Sequence, residues 1–218
     1  SYTFDPAALL NEKLNFTLTG DGPKILVVHS HASESYTPTD QNYYLPTDPD
    51  RTEDRNYNVV RVGKELADTL NSLGVETLHD TTLHDYPSYN GSYKNSLATV
   101  QSYLAKYPSI KIVIDVHRDA MVQADGTKLK LVADVNGEKA AQIMLLTGTN
   151  QGGLEHPNWQ ENLKFAMKLQ RRLNLLYPKL TRPVSLTKER YNTHTTLASI
   201  IAEVGTTGNT LEEALVSA

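Results

Sequence analysis

The sequence predicts an α/β domain in three layers, a mixed, mostly parallel sheet flanked by helices. Two observations carry that expectation. Short β-branched runs alternate with amphipathic helical stripes along the chain, and such alternation builds parallel sheets covered by helices. An Asn136-Gly137 pair between two strand-like runs adds a hairpin, and with it at least one antiparallel pair.

The elements follow in order. Asp5 precedes Pro6 and an Ala-Ala-Leu-Leu run, the pattern of a capped helix with proline at its first position. Residues 1–23 are read as an N-terminal helix and linker, ahead of one principal domain over 24–218. Residues 25–28 form a buried strand after Gly20, Gly22 and Pro23. From Ser30 to Arg55 the composition turns to Ser, Thr, Asp, Pro and Tyr, and a loop so long is usually functional or disordered. Val59, Val62, Leu66, Leu70 and Leu73 recur at helical spacing and stop at Gly74. A strand over 75–78 comes next. Tyr93, Leu97, Val100, Leu104 and Tyr107 form a second helical stripe, ended by Pro108, and residues 110–116 are the most strand-like run in the chain. Residues 128–135 and 139–146 flank the Asn-Gly turn. A helix over 159–177 ends at Pro178, and a last strand over 197–204 leads to a helix opening at Asn209 or Thr210, with Glu212 or Glu213 in capping-box position.

Composition narrows the function. The 218 residues hold 39% hydrophobic and 21% charged side chains, ordinary globular usage that argues against disorder. With 21 Lys+Arg against 25 Asp+Glu the net charge is −4, so the basic footprint of a nucleic-acid binder is missing. No apolar run approaches the ~18–20 residues of a spanning helix, and no basic stretch followed by an apolar one marks a signal peptide. Zero cysteines leave histidine and carboxylate as the ligands for any metal.

Three predicted core strands end in groups that packing does not call for: residues 25–28 run into His29 and His31, residues 112–116 into His117, and Ile200-Ile201-Ala202 into Glu203. Open α/β sheets bind ligands beyond the carboxyl ends of their strands, so the three segments converge on one edge. Histidines with carboxylates match a catalytic zinc site that keeps one position open for water, and a nearby Glu serves as acid or base. His79, His84, His156 and His194 lie in polar contexts and are read as solvated, Glu189 and Arg190 as a wet face. Ser30 and Ser33 stand beside histidines, but a G-x-S-x-G elbow is missing, and so are the glycine-rich nucleotide motifs.

On four segments, ILVVHSHASESYTP from Ile25, RTEDRNYNVVRVGKELADTLNSLGVE from Arg51, IVIDVHRDA from Ile112 and IIAEVGTTGNTLEEA from Ile200, the chain resembles the catalytic domain of the stage II sporulation protein P family of peptidoglycan hydrolases, related to zinc N-acetylmuramoyl-L-alanine amidases. The resemblance implies a zinc-amidase-like fold and Zn2+ as cofactor, with His31 and His117 as metal ligands and Glu203 as catalytic acid/base. Counting back from Asn58 gives Asp54 as the acidic ligand, with Glu53 adjacent and Glu34 the other carboxylate near His31. His29 competes with His31, because alternate strand residues face the same way. Glu34 and Arg118 are otherwise expected to touch substrate or support a ligand, and Asp119 shares that expectation. The implied reaction cleaves the amide between N-acetylmuramic acid and L-Ala of stem peptides, with endopeptidase action on cross-links as an addition. The implied setting is extracytoplasmic, in the septal space of engulfment, beside a lytic transglycosylase, with membrane attachment only through a segment outside this chain. A non-catalytic wall-binding scaffold that keeps the fold is the rival reading. Tyr36, Tyr43 and Tyr44 are expected to border the substrate groove.

Overall fold

The β-branched runs pair into a single large sheet. In the computed structural model, which describes residues 4–45 and 50–218, β1 (Ile25–Val28) lies between β2 (Thr77–His79) and β3 (Ile112–Asp119), and β8 (Ala198–Thr206) follows β3, all in parallel. β6 (Ile143–Thr147) then runs antiparallel to β8, and β7 (Ser185–Leu186) pairs parallel with β6. The order β2-β1-β3-β8-β6-β7 is the mixed, mostly parallel sheet the sequence predicts.

Side-chain alternation along the strands divides the core into two faces. Leu26, Val28 and Val113 pack with Val100 of α3 (Ser92–Lys106) on one face. Val27, Ile114, Val116, Ile200 and Ala202 pack on the other, with Val59 and Val62 of α2 (Val59–Ser72), Ala166 of α4 (Trp159–Leu176) and Leu211 of α5 (Leu211–Ser217). The same period sends Asp115 and His117 to the α3 face. Caps fix the helix starts: Asn58 accepts from Val60 N, and Thr210 with Glu213 forms the capping box before α5. The first helix, α1 (Pro6–Asn11), is capped by Asp5 and places Leu9 against Trp159 and Leu163 of α4.

Several strand bounds shift. The run over 139–146 divides at Gln142. Its first part, β5 (Glu138–Ala141), makes the hairpin with β4 (Val132–Val135) through Asn136 and Gly137 at φ 54 and 88, and its second part leaves as β6. The reason is burial: beside β8, Ile143, Leu145 and Leu146 are 8%, 3% and 8% exposed, which a two-stranded hairpin cannot offer. β3 and β8 both run on past residues 116 and 204, so His117 and Glu203 lie inside paired strands, opposite each other in register. Beyond His117 the register shifts by a bulge, a device that re-aims side chains near sites.

A close approach fixes α2 on the sheet. A Cβ at Gly63 would stand 2.4 Å from Cε1 of His29, whose ring is fully buried. Gly63→Ala is therefore expected to lose about 1–3 kcal/mol of stability through overpacking, measured by urea denaturation; a variant as stable as the parent would show that the contact is loose.

Candidate metal centre

The polar segment after β1 turns inward. Residues from His29 to Tyr36 are all buried, and each polar side chain that enters the core finds a partner there. Ser30 donates its backbone N–H to Asp115 at 2.8 Å, the Ser33 hydroxyl donates to Asp85 at 2.6 Å, and the Tyr36 hydroxyl donates to the Val204 carbonyl at 2.9 Å. Tyr44 bonds the Tyr36 carbonyl and stacks on Tyr57. Tyr36 and Tyr44 thus belong to the core rather than to a groove, and Tyr43 is exposed.

This turn brings Glu34 between two imidazoles. Its Oε1 lies 3.4 Å from Nδ1 of His31 and its Oε2 lies 3.4 Å from Nδ1 of His117. All three residues are buried, with ligand atoms within 4.8 Å of one another, and among the described residues they are the one such group suited to a metal ion. Glu53 and Asp54 stand outside it. Asp54 is exposed, and its Oδ1 accepts from the backbone and side chain of Asn56, both at 2.9 Å; the residues that count back from Asn58 cap a turn and do not reach the histidines. His29 is also committed elsewhere, Nδ1 to the Val116 carbonyl at 2.9 Å and Nε2 to Nε2 of His79 at 2.8 Å.

The surroundings set the charges. Burial would raise the pKa of Glu34, but His117, His31 and Arg118 outweigh it and hold the carboxyl well below its ordinary value. Burial disfavours a charge on His117 too, yet Asp115 and then Glu34 hold its pKa well above the usual one. Nε2 of His117 lies 2.9 Å from Oδ1 of Asp115, a charge contact without hydrogen-bond alignment. Glu203 differs: burial pushes it up to about 8, with Glu34 and Asp119 adding to the shift and His117 and Arg118 opposing it. Its Oε2 is buried and has no hydrogen-bond partner among the described residues.

Arg118 is spent on structure. Its backbone N–H donates to Glu34 Oε2 at 3.2 Å, and its guanidinium holds the Ser35 and Asp50 carbonyls at 2.8 Å. Asp119 pairs with Arg182 at 2.8 Å.

The family model described as Stage II sporulation protein P matches residues 5–218. The chain belongs to the stage II sporulation protein P family. The curated Stage II sporulation protein P of Bacillus subtilis (strain 168) is 29% identical over 206 residues, a match covering 89% of this chain and 48% of that protein, so the chain spans about half the length of this relative. The match makes the chain a member of a family of sporulation proteins, and no helix among its described residues is long and apolar enough to cross a membrane.

In this family member, several residues at the centre escape a reading of motifs. Tyr89 stacks on His31 with ring centroids 4.6 Å apart, Tyr93 meets His31 edge-on at 5.1 Å, and Tyr191 leans on Tyr93 at 5.0 Å. The first lies in a polar loop, the second counts as one more apolar member of the α3 stripe, and the third hides in a charged run. Arg51 binds Asp85 at 2.8 Å and lies over the Tyr89 ring. His84 and His156, expected to be solvated, are buried, bonded to the His29 carbonyl and to Thr193 Oγ1 respectively.

Glu203 supplies a pH test. Its carboxyl ionises at an ordinary value in the unfolded chain and only at about 8 when folded, so its contribution favours folding at low pH and is lost as pH rises through that window. Chelator-treated Glu203→Gln should melt above chelator-treated parent at pH 8, with the gap closing towards about pH 5. A gap independent of pH, read by calorimetry, would mean that Glu203 is ionised throughout.

Proposed function

We propose that this chain is a metal-dependent peptidoglycan hydrolase of sporulation, cleaving the amide between N-acetylmuramic acid and L-Ala of stem peptides. The observation that carries the proposal is the buried group of His31, Glu34 and His117 beside the half-buried Glu203, whose Oε2 is enclosed and makes no hydrogen bond among the described residues. Two imidazoles and one carboxylate are the donor set of a catalytic zinc, with the remaining position free for water. We accordingly propose Glu34, in place of Asp54, as the acidic ligand, and Zn2+ as the ion. Bound there, the ion would polarise the scissile carbonyl and bring the pKa of its water towards ~7.

The chain's own residues do the rest. His31 and His117 present Nδ1 atoms, and Arg118 holds Glu34 from the backbone side. Glu203 takes the proton of the attacking water on its carboxylate and delivers it to the leaving amine as the C–N bond breaks. A neighbouring cation draws its raised pKa back towards neutrality, where a group exchanges protons most readily. Tyr89, Tyr93 and Tyr191 offer flat apolar faces for the sugar or the lactyl-alanine unit. Endopeptidase action on cross-links, an extracytoplasmic septal location, anchoring through a segment outside this chain and work beside a lytic transglycosylase accompany this proposal on the strength of the resemblance.

The test is elemental analysis followed by digestion of purified peptidoglycan with and without chelator. The expected result is about one metal per chain, chelator-sensitive release of stem peptides, metal lost in Glu34→Ala but kept in Asp54→Asn, and turnover lowered about 10²–10⁴-fold in Glu203→Gln with metal retained. Metal-free protein that binds peptidoglycan without cutting it would favour the scaffold.

A further inference from the structure

We infer that Asp115 is a positioning residue, fixing the ring of His117 so that Nδ1 faces Glu34 and thereby setting the affinity of the centre for its ion. The inference rests on the metal-binding reading above. Asp115 and His117 are alternate residues of β3 and share its α3 face. The imidazole is held at both ends, Nδ1 at 3.4 Å from Glu34 Oε2 and Nε2 at 2.9 Å from Asp115 Oδ1. The Nε2 contact to Asp115 is a charge contact without hydrogen-bond alignment, and Nε2 has no hydrogen-bond partner among the described residues.

Asp115 is itself immobile. It accepts from Ser30 N at 2.8 Å and from the Ser30 hydroxyl through its second oxygen. The Ser30 hydroxyl meets Ser96 Oγ at 2.7 Å, and Ser96 Oγ accepts from Asn192 Nδ2 at 2.9 Å, which also reaches the Tyr93 carbonyl at 2.9 Å. Four separate segments, β3, the turn after β1, α3 and the loop before β8, therefore aim one carboxylate. A neutral acceptor would serve Ser30 equally well. Burying a charge is costly unless a partner meets it, and the group that meets this one is His117. Histidines that bind metals usually give their second ring nitrogen to a carboxylate, which sets the tautomer and strengthens the donor, and losing that carboxylate typically costs 10–100-fold in affinity.

The experiment titrates the purified chain with zinc alone against a chromophoric chelator, and records the visible spectrum of the cobalt-loaded protein. Asp115→Asn should bind zinc about 10–100-fold more weakly than the parent and show an altered cobalt spectrum, with its circular dichroism retained. A purely structural role would lower the melting temperature of the metal-free protein and leave affinity and spectrum alone. Zinc affinity within about twofold of the parent overturns the inference and leaves the metal centre standing. A parent that binds no zinc overturns both. Should Asp115→Asn not fold, Ser30→Ala decides, because it keeps the carboxylate and frees one of its oxygens: weaker zinc binding supports the inference, and unchanged binding ends it.

Discussion

A histidine clamped between two buried carboxylates is the interaction on which the rest of the site depends. Glu34 and Asp115 both face His117, and its imidazole is the strongest of the influences that keep each of them ionised in the core, where an unpaired carboxylate takes up a proton instead. Glu203, opposite His117 on the next strand, lacks such a clamp and rests against burial and the nearby negative charges, so it keeps its proton to about pH 8. One imidazole therefore divides three acids into two kinds. Two are held as anions, and the third keeps a proton.

The clamp explains why so polar a segment follows so apolar a strand. Backbone that leaves β1 for the core must find partners for its own N–H and C=O groups, and it does so from side chains that point at the site for other reasons. Asp115 serves Ser30, Asp85 serves Ser33, and Arg118 holds the Ser35 and Asp50 carbonyls while its own N–H steadies Glu34. Arg51 joins Asp85 to the same loop and covers Tyr89. The bonds that hold this turn are thus the ones that place Glu34 between the two histidines, and a substitution that loosens the loop loosens Glu34 with it.

The layered fold was legible because periodicity and caps are local signals, and the paired strands and helices obey them. The convergence of His31, His117 and Glu203 on one edge was legible for a topological reason, since parallel strands deliver their carboxyl ends together. What escaped was set by distance in space. Asp54 fits a count along the chain, but the turn at Asn56 keeps it outside, while Glu34, three residues after His31, reaches inward because its segment is buried. Asp115 had a readable signal, an acid two places before a histidine on an apolar strand. Tyr191 had none, because nothing in its charged run marks a residue that leans on Tyr93, a neighbour only in space.

Binding a wall polymer and cutting it make different demands on this geometry. A scaffold needs a surface, and the tyrosines around His31 would supply one with neutral, well-packed residues beneath them. A carboxyl at Glu203 gives such a surface nothing: its Oε2 makes no hydrogen bond among the described residues, its raised pKa destabilises the fold as pH rises, and glutamine would fill the same space without that charge. Groups that weaken a fold are characteristically those that a reaction requires. The same reasoning applies to the two imidazoles, which bring Nδ1 atoms against one carboxylate without the alignment of hydrogen bonds. On the proposed reading, an ion drawing on all three at once would resolve that frustration, and Glu203 across the strand pair would stand where hydrolysis needs a proton carrier.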